Sequence, residues 1–146
     1  MTTAFHPLDP LPGTIRWRGA CVLVRDAQGR ALMQLRDDIP GIAAPGQWSL
    51  FGGGVEPGED LLDGALREFH EETGIALAPS DLTPLCCFPS QARPDGAIYV
   101  FRCARLLVPG DMRLSEGAGF AFLTARQLEH FNLIPNFQRM FTSFLS

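Results

Sequence analysis

The sequence has little of what a nucleic-acid or membrane protein needs. Its basic residues form no run, so no groove for a nucleic-acid polymer is expected. No stretch reaches about 18 uninterrupted apolar residues, so no membrane span is expected either. The opening "MTTAFHPLDPLPGT" lacks a basic start followed by an apolar run, which argues against a signal peptide. The four cysteines, Cys21, Cys86, Cys87 and Cys103, show no C-x-x-C spacing, so cysteine alone builds no zinc site. Cys86 and Cys87 are adjacent and would alternate faces in a strand, which makes them poor disulfide partners for each other. Buried thiols in a reducing compartment are the simple expectation, and the cytoplasm the expected location. There is no internal repeat and no low-complexity segment.

What is present reads as one globular domain. The 146 residues are 46% hydrophobic and 19% charged, with eleven Phe. A chain of this length buries roughly 68–70% of the surface its unfolded form exposes. Residues 1–14 carry three prolines and are expected to be an irregular arm, leaving 15–146 as the domain. Residues 18–26 and 29–37 are β-rich runs around "DAQG", a hairpin signal. Residues 38–47 hold two prolines and two glycines and read as a loop. A short strand over 48–51 leads into three glycines, expected to form a tight turn. Residues 60–73 are the best helix. Asp60 is its N-cap candidate, Gly74 its stop, and Leu61, Leu62, Ala65, Leu66 and Phe69 recur at helical spacing. Strands are expected over 82–89, 96–108 and 119–124. A short helix over 125–131 is capped by Thr124. A last helix over about 135–145 has Phe137, Met140, Phe141, Phe144 and Leu145 as its apolar face.

The net charge is −4, and the acidity is local. "GGGVEPGEDLLDGALREFHEETGI" sets Glu56, Glu59, Asp60, Asp63, Glu68, Glu71 and Glu72 against one arginine, Arg67. Glu68, Glu71 and Glu72 lie at i, i+3 and i+4 and share a helix face. Like charges at i,i+4 cost a few tenths of a kcal/mol each in water. The face is then either an ordinary solvated one or a seat for a hard cation, which takes oxygen ligands. Gly52, Gly53 and Gly54 let backbone approach a ligand beside it.

The segment resembles the Nudix box, with Gly53, Glu59, Arg67-Glu68, Phe69, Glu71-Glu72, Gly74 and Ile75 at the box's fixed positions. Phe51 departs from the proline that many members carry before the glycines. The resemblance implies an α+β fold, an α/β/α sandwich with a mixed β-sheet between helices, and a single Nudix hydrolase domain over 15–146. It implies Mg²⁺-dependent hydrolysis of a nucleoside diphosphate linked to another group, with Mn²⁺ as a substitute and a small nucleotide as partner. A homodimer is compatible with it. Carried over residue by residue, Glu68 and Glu72 look like the main metal ligands. Glu71 looks like a further ligand or a base, the carbonyl of Gly52 or Gly53 like another ligand, and Glu59 and Arg67 like supports.

Family members often draw the base from a loop beyond the box, and Glu116 in "LSEGAGFAF" is the candidate here; the plainer reading is a turn residue before Gly117. Trp17, Trp48, Phe88 and Tyr99 could stack on a base or simply fill the core. Arg16, Arg18, Arg36, Arg93 and Arg102 could meet phosphates, and spacing singles out none. The rivals are a catalytically idle nucleotide-binding module of the same fold, against which the intact box argues, and the isomerase branch, for which Cys21 is the one upstream cysteine. Substrate choice is expected to lie in loops 38–47 and 89–96.

Overall fold

The computed structural model describes residues 4–144. Its strands are β1 (His6–Pro7), β2 (Trp17–Arg25), β3 (Ala31–Leu35), β4 (Trp48–Ser49), β5 (Phe51–Gly54), β6 (Leu82–Pro89), β7 (Gly96–Leu106) and β8 (Gly119–Leu123). Its helices are α1 (Leu61–Thr73), α2 (Ala125–Leu128) and α3 (Pro135–Phe144). The sheet is mixed and runs β1-β6-β7-β2-β3-β4, with β5 paired to β2 and β8 to β3. β1 runs parallel to β6 and β7 parallel to β2, while the other pairings are antiparallel.

β2 is a continuous apolar run because both of its faces are covered. Ala20, Val22 and Val24 join Phe51, Ala65 and Phe69 beneath α1. Cys21 and Leu23 face the other way, into a core with Leu128, Phe137, Met140 and Phe141 of α2 and α3. The sheet is thus sandwiched between helices, as expected.

Local chemistry sets the ends of α1. The Asp60 carboxylate accepts from the Asp63 N–H (2.8 Å), and Gly74 closes the helix at φ 75° by donating to the His70 carbonyl. Phe69 then anchors α1, meeting Phe51 edge-to-face with centroids 6.3 Å apart. Phe51, which stands in place of the usual proline, is fully buried.

Three expectations need correction. The glycines are not a tight turn. Gly52, Gly53 and Gly54 are extended in β5, opposite Cys21, Ala20 and Gly19 of β2. The arm is not wholly irregular, because His6 and Pro7 pair with Cys86 and Cys87. Phe5 also packs on Tyr99 and Phe101, and Arg139 grips Asp9 and the Leu8 carbonyl. The short helix ends at Leu128 rather than residue 131. Leu145, assigned to the apolar face of the last helix, lies outside the described residues. Among the described residues no helix is long and apolar enough to cross a membrane.

Phe69→Ala should destabilise the protein by about 3–5 kcal/mol in denaturant unfolding, because a fully buried aromatic leaves a cavity. Leu106→Ala, on a residue 60% exposed, should change stability by less than about 0.5 kcal/mol.

Candidate active site

The carboxylates of α1 stand in three different environments, not on one uniformly solvated face. Glu72 is buried, at 4% exposure. Its Oε1 accepts from the Gly52 N–H at 2.9 Å and its Oε2 from the Gln34 amide at 3.4 Å. Glu68 is half-buried against β5, and a Cβ on Gly53 would lie 2.5 Å from its carboxyl carbon. Glu71 points outward, its side chain 56% exposed.

Arg67 ties the outer acids together. Its Nε and Nη2 form a bidentate fork with Glu59 at 2.8 and 2.9 Å, and Nη2 also donates to the Gly54 carbonyl at 3.0 Å. Nη1 reaches Glu68 at 3.0 Å and Glu71 at 3.3 Å. Glu59 in turn accepts the Glu56 N–H, and its own carbonyl accepts from Arg18. Glu59 and Arg67 are thus joined to each other, and Arg67 to the outer acids, by hydrogen bonds.

These environments split the acids electrostatically. The hydrogen-bonded Arg67 guanidinium holds Glu59 down to about 2. Burial raises Glu68, which Arg67 partly offsets. Burial pushes Glu72 up to about 8, with the charges of Glu116 and Glu68 adding to the rise. Glu72 reaches no guanidinium, and its two donors are neutral amides.

The loop before β8 is fastened to the end of α1. The Arg113 N–H donates to the Thr73 carbonyl at 2.8 Å and the Ser115 N–H to the Glu72 carbonyl at 3.2 Å. The Ser115 hydroxyl also donates to the Glu71 carbonyl. Glu116 follows, exposed, close enough for its charge to act on Glu68 and Glu72. Gln34 links the two parts, since its amide also donates to the Glu116 carbonyl at 3.3 Å. Sequence reasoning passed over Gln34. The available signal was one amide inside the otherwise apolar "ALMQL", a polar residue that burial obliges to find partners.

Among the described residues no three His, Cys, Asp or Glu side chains converge into a ready-made metal shell. The donor set nonetheless fits a hard cation. It is all oxygen, and it includes a buried carboxylate whose negative form lacks a positive partner.

Across β5 from α1 lies a cleft of about 340 Å³. Its floor includes Trp17, Gly19, Cys21 and Gly52, and its walls include Ala43, Ala44 and Gln47 from one loop and Ser90, Gln91 and Ala92 from the other. Arg36 lines this cleft and a smaller hollow that holds Gln34 and Glu116. Of the aromatic candidates, Tyr99 packs on Phe5 and Trp48 on Phe131, while Trp17 and the buried Phe88 both line the cleft. Cys21 also lines it, but burial pushes its thiol up to about 12, which suits a nucleophile poorly.

A family model of the NUDIX domain matches residues 15–142. The nucleoside triphosphatase NudI of Escherichia coli O1:K1 is 42% identical over 64 residues, 44% of either chain. The chain spans less than half the length of the curated relatives it matches. The MutT protein of Methanosarcina mazei Go1 superposes with a TM-score of 0.73 at 25% identity, over 91% of this chain and 95% of that one. The E. coli dihydroneopterin triphosphate pyrophosphohydrolase gives 0.62 at 19% identity, over 88% and 94%, a likeness of fold.

Glu72 sets a pH dependence. Its folded value lies above the ordinary 4.5, so between about 4.5 and 8 the folded state binds more protons than the unfolded one. Stability from this group is therefore full at low pH and is lost as pH rises through that window. In metal-free buffer the melting temperature should fall from pH 5 to 8, and Glu72→Gln should flatten the fall. A second expectation concerns the fork. Arg67→Lys keeps the charge but loses the bidentate contact to Glu59. It should lower both the melting temperature and any hydrolytic rate, whereas wild-type behaviour in both would mean that the fork is idle.

Proposed function

The chain belongs to the NUDIX family, and from that membership we propose that it is a Mg²⁺-dependent pyrophosphohydrolase of a nucleoside triphosphate or a related nucleoside diphosphate derivative. Mn²⁺ substitutes for Mg²⁺. The observation that carries the reading is the buried Glu72 carboxylate beside half-buried Glu68, separated only by Gly52 and Gly53 from a cleft of about 340 Å³. A buried anion without a cationic partner is costly, and a divalent ion with a substrate phosphate removes that cost.

Glu68 and Glu72 would hold the ion, with the Gly52 or Gly53 carbonyl as a further oxygen, and its charge would offset that of the diphosphate and make a nearby water more acidic. The protein's own residues supply the rest. The Gly52 N–H and Gln34 orient Glu72, while Arg67, braced by Glu59, orients Glu68. Glu116 takes the proton of the attacking water. Glu71 is the competing base, but Arg67 already engages it at 3.3 Å, and a carboxylate so engaged is a weaker base. We place its work in the cytoplasm, a reading that the four free, buried cysteines support.

A panel of dNTPs, oxidised dNTPs, NDP-sugars, ADP-ribose and dinucleoside polyphosphates with Mg²⁺ tests the reaction. Pyrophosphate or nucleoside monophosphate should be released from at least one, and silence across the panel would favour the idle nucleotide-binding module. Glu72→Gln should cost orders of magnitude in rate and weaken Mg²⁺ binding in calorimetry. Glu116→Gln should lower kcat by about 10²–10⁴-fold with KM nearly unchanged. A loss under tenfold, with a far larger one in Glu71→Gln, would assign the proton to the helix and leave Glu116 as the turn residue before Gly117.

A further inference from the structure

Trp17 lies on a floor that the fold builds for it from glycine. A Cβ on Gly19 would come within 2.7 Å of the indole, one on Gly96 within 3.0 Å, and one on Gly54 within 3.3 Å. Three adjacent strands contribute. Gly96 stands opposite Trp17 on β7, Gly19 lies two residues along β2, and Gly54 is opposite Gly19 on β5. Glycine inside strands weakens them, having no side chain to pack and more backbone entropy to lose. Three glycines under one ring are a cost that an ordinary core tryptophan would not require.

Trp17 also lines the cleft, and the Arg93 guanidinium sits over its ring, 5.0 Å from the centroid. Arg93 comes from one of the two loops that wall the cleft, and it is exposed. Gly53 and Gly54 are consecutive on β5. The space above Gly53 is filled by the Glu68 carboxylate, and the space above Gly54 by Trp17. An aromatic plane and a carboxylate of the reaction site therefore stand one residue apart, on opposite faces of one strand.

We propose that Trp17 is the platform on which the substrate's nucleobase stacks, and that Arg93 closes over the base's outer face. The inference rests on the nucleotide substrate put forward above and names the residues that hold its base. The base slides between the indole and the guanidinium, replacing one cation–π contact with two stacked faces. Such a platform detects that a base is present, since every base has a π-face, and leaves the choice among bases to the cleft walls.

The test uses two probes with Mg²⁺ present: α,β-methylene dGTP or dUTP, and inorganic tripolyphosphate, which has no base. With Trp48→Phe, Trp17 is the one remaining tryptophan. Its fluorescence should be quenched by the nucleotide analogues and unchanged by tripolyphosphate. In calorimetry, Trp17→Leu should weaken analogue binding by about 5- to 150-fold and leave tripolyphosphate binding unchanged. Trp17→Phe, which keeps a ring, should retain most of the affinity, and Arg93→Ala should give a smaller loss than Trp17→Leu. Equal losses for both probes would show a structural defect and overturn the platform. So would analogue binding that survives Trp17→Leu. Wild-type protein that binds neither these analogues nor any other nucleotide of the panel above would overturn the nucleotide reading itself, and the platform with it.

Discussion

The close approach of α1 to the bare backbone of β5 is the constraint on which the rest depends. A side chain at Gly53 would overlap the Glu68 carboxylate, and one at Gly52 would meet the Ala20 carbonyl at 2.2 Å. The strand therefore carries no side chains where the helix meets it. Apolar packing sets the approach one step earlier in sequence, at Phe51 against Phe69, both fully buried. That contact fixes the height of the helix. Glu72, one turn on, then falls against backbone, where the Gly52 N–H serves it.

Charge decides how the crowded acids coexist. A surface ion pair contributes about 0–1 kcal/mol, so a single exposed Arg67 contact would not balance its neighbours. Arg67 instead spends its planar fork on Glu59 and its remaining nitrogen on Glu68 and Glu71, in geometry a lysine cannot reproduce. Glu72 lies on the other side of Glu68 and is reached only by amides. The helix thus has a charge-paired flank and one whose hydrogen-bonded carboxylate has no countercharge. The second flank is next to the Glu116 loop, which also lines the hollow with Arg36. The electrostatic demand and the open space coincide there.

Much of this was legible in the chain because it is local. Asp60, Gly74 and the spacing of Leu62, Ala65 and Phe69 act within one helix, and the structure keeps them where the pattern puts them. Loops 38–47 and 89–96 were legible as loops, and both line the cleft. What was not legible depends on partners distant in sequence. "GGG" reads as a turn in isolation, and only the edge offered by Gly19–Val22 makes it a strand. Gln34 looks like a misplaced polar residue until Glu72 and Glu116 close on it from 38 and 82 positions away. Trp17 is one aromatic among several until β7 and β5 bring glycines beneath it.

The same glycines then acquire a second meaning. A wall of ordinary side chains between α1 and the cleft would hold the reacting group and the recognising group a full side-chain layer apart. Removing those side chains thins the wall to a single backbone. Alternation along β5 turns Gly53 toward Glu68 and Gly54 toward Trp17, so a ligand crossing the strand meets both within one residue step. The strand stays in place because its stability comes from elsewhere, from β2 beside it and from Phe51 at its start. Rigid apolar packing at one end supports backbone that is bare at the other, with the Glu68 carboxylate on one face of the bare end and the Trp17 ring on the other.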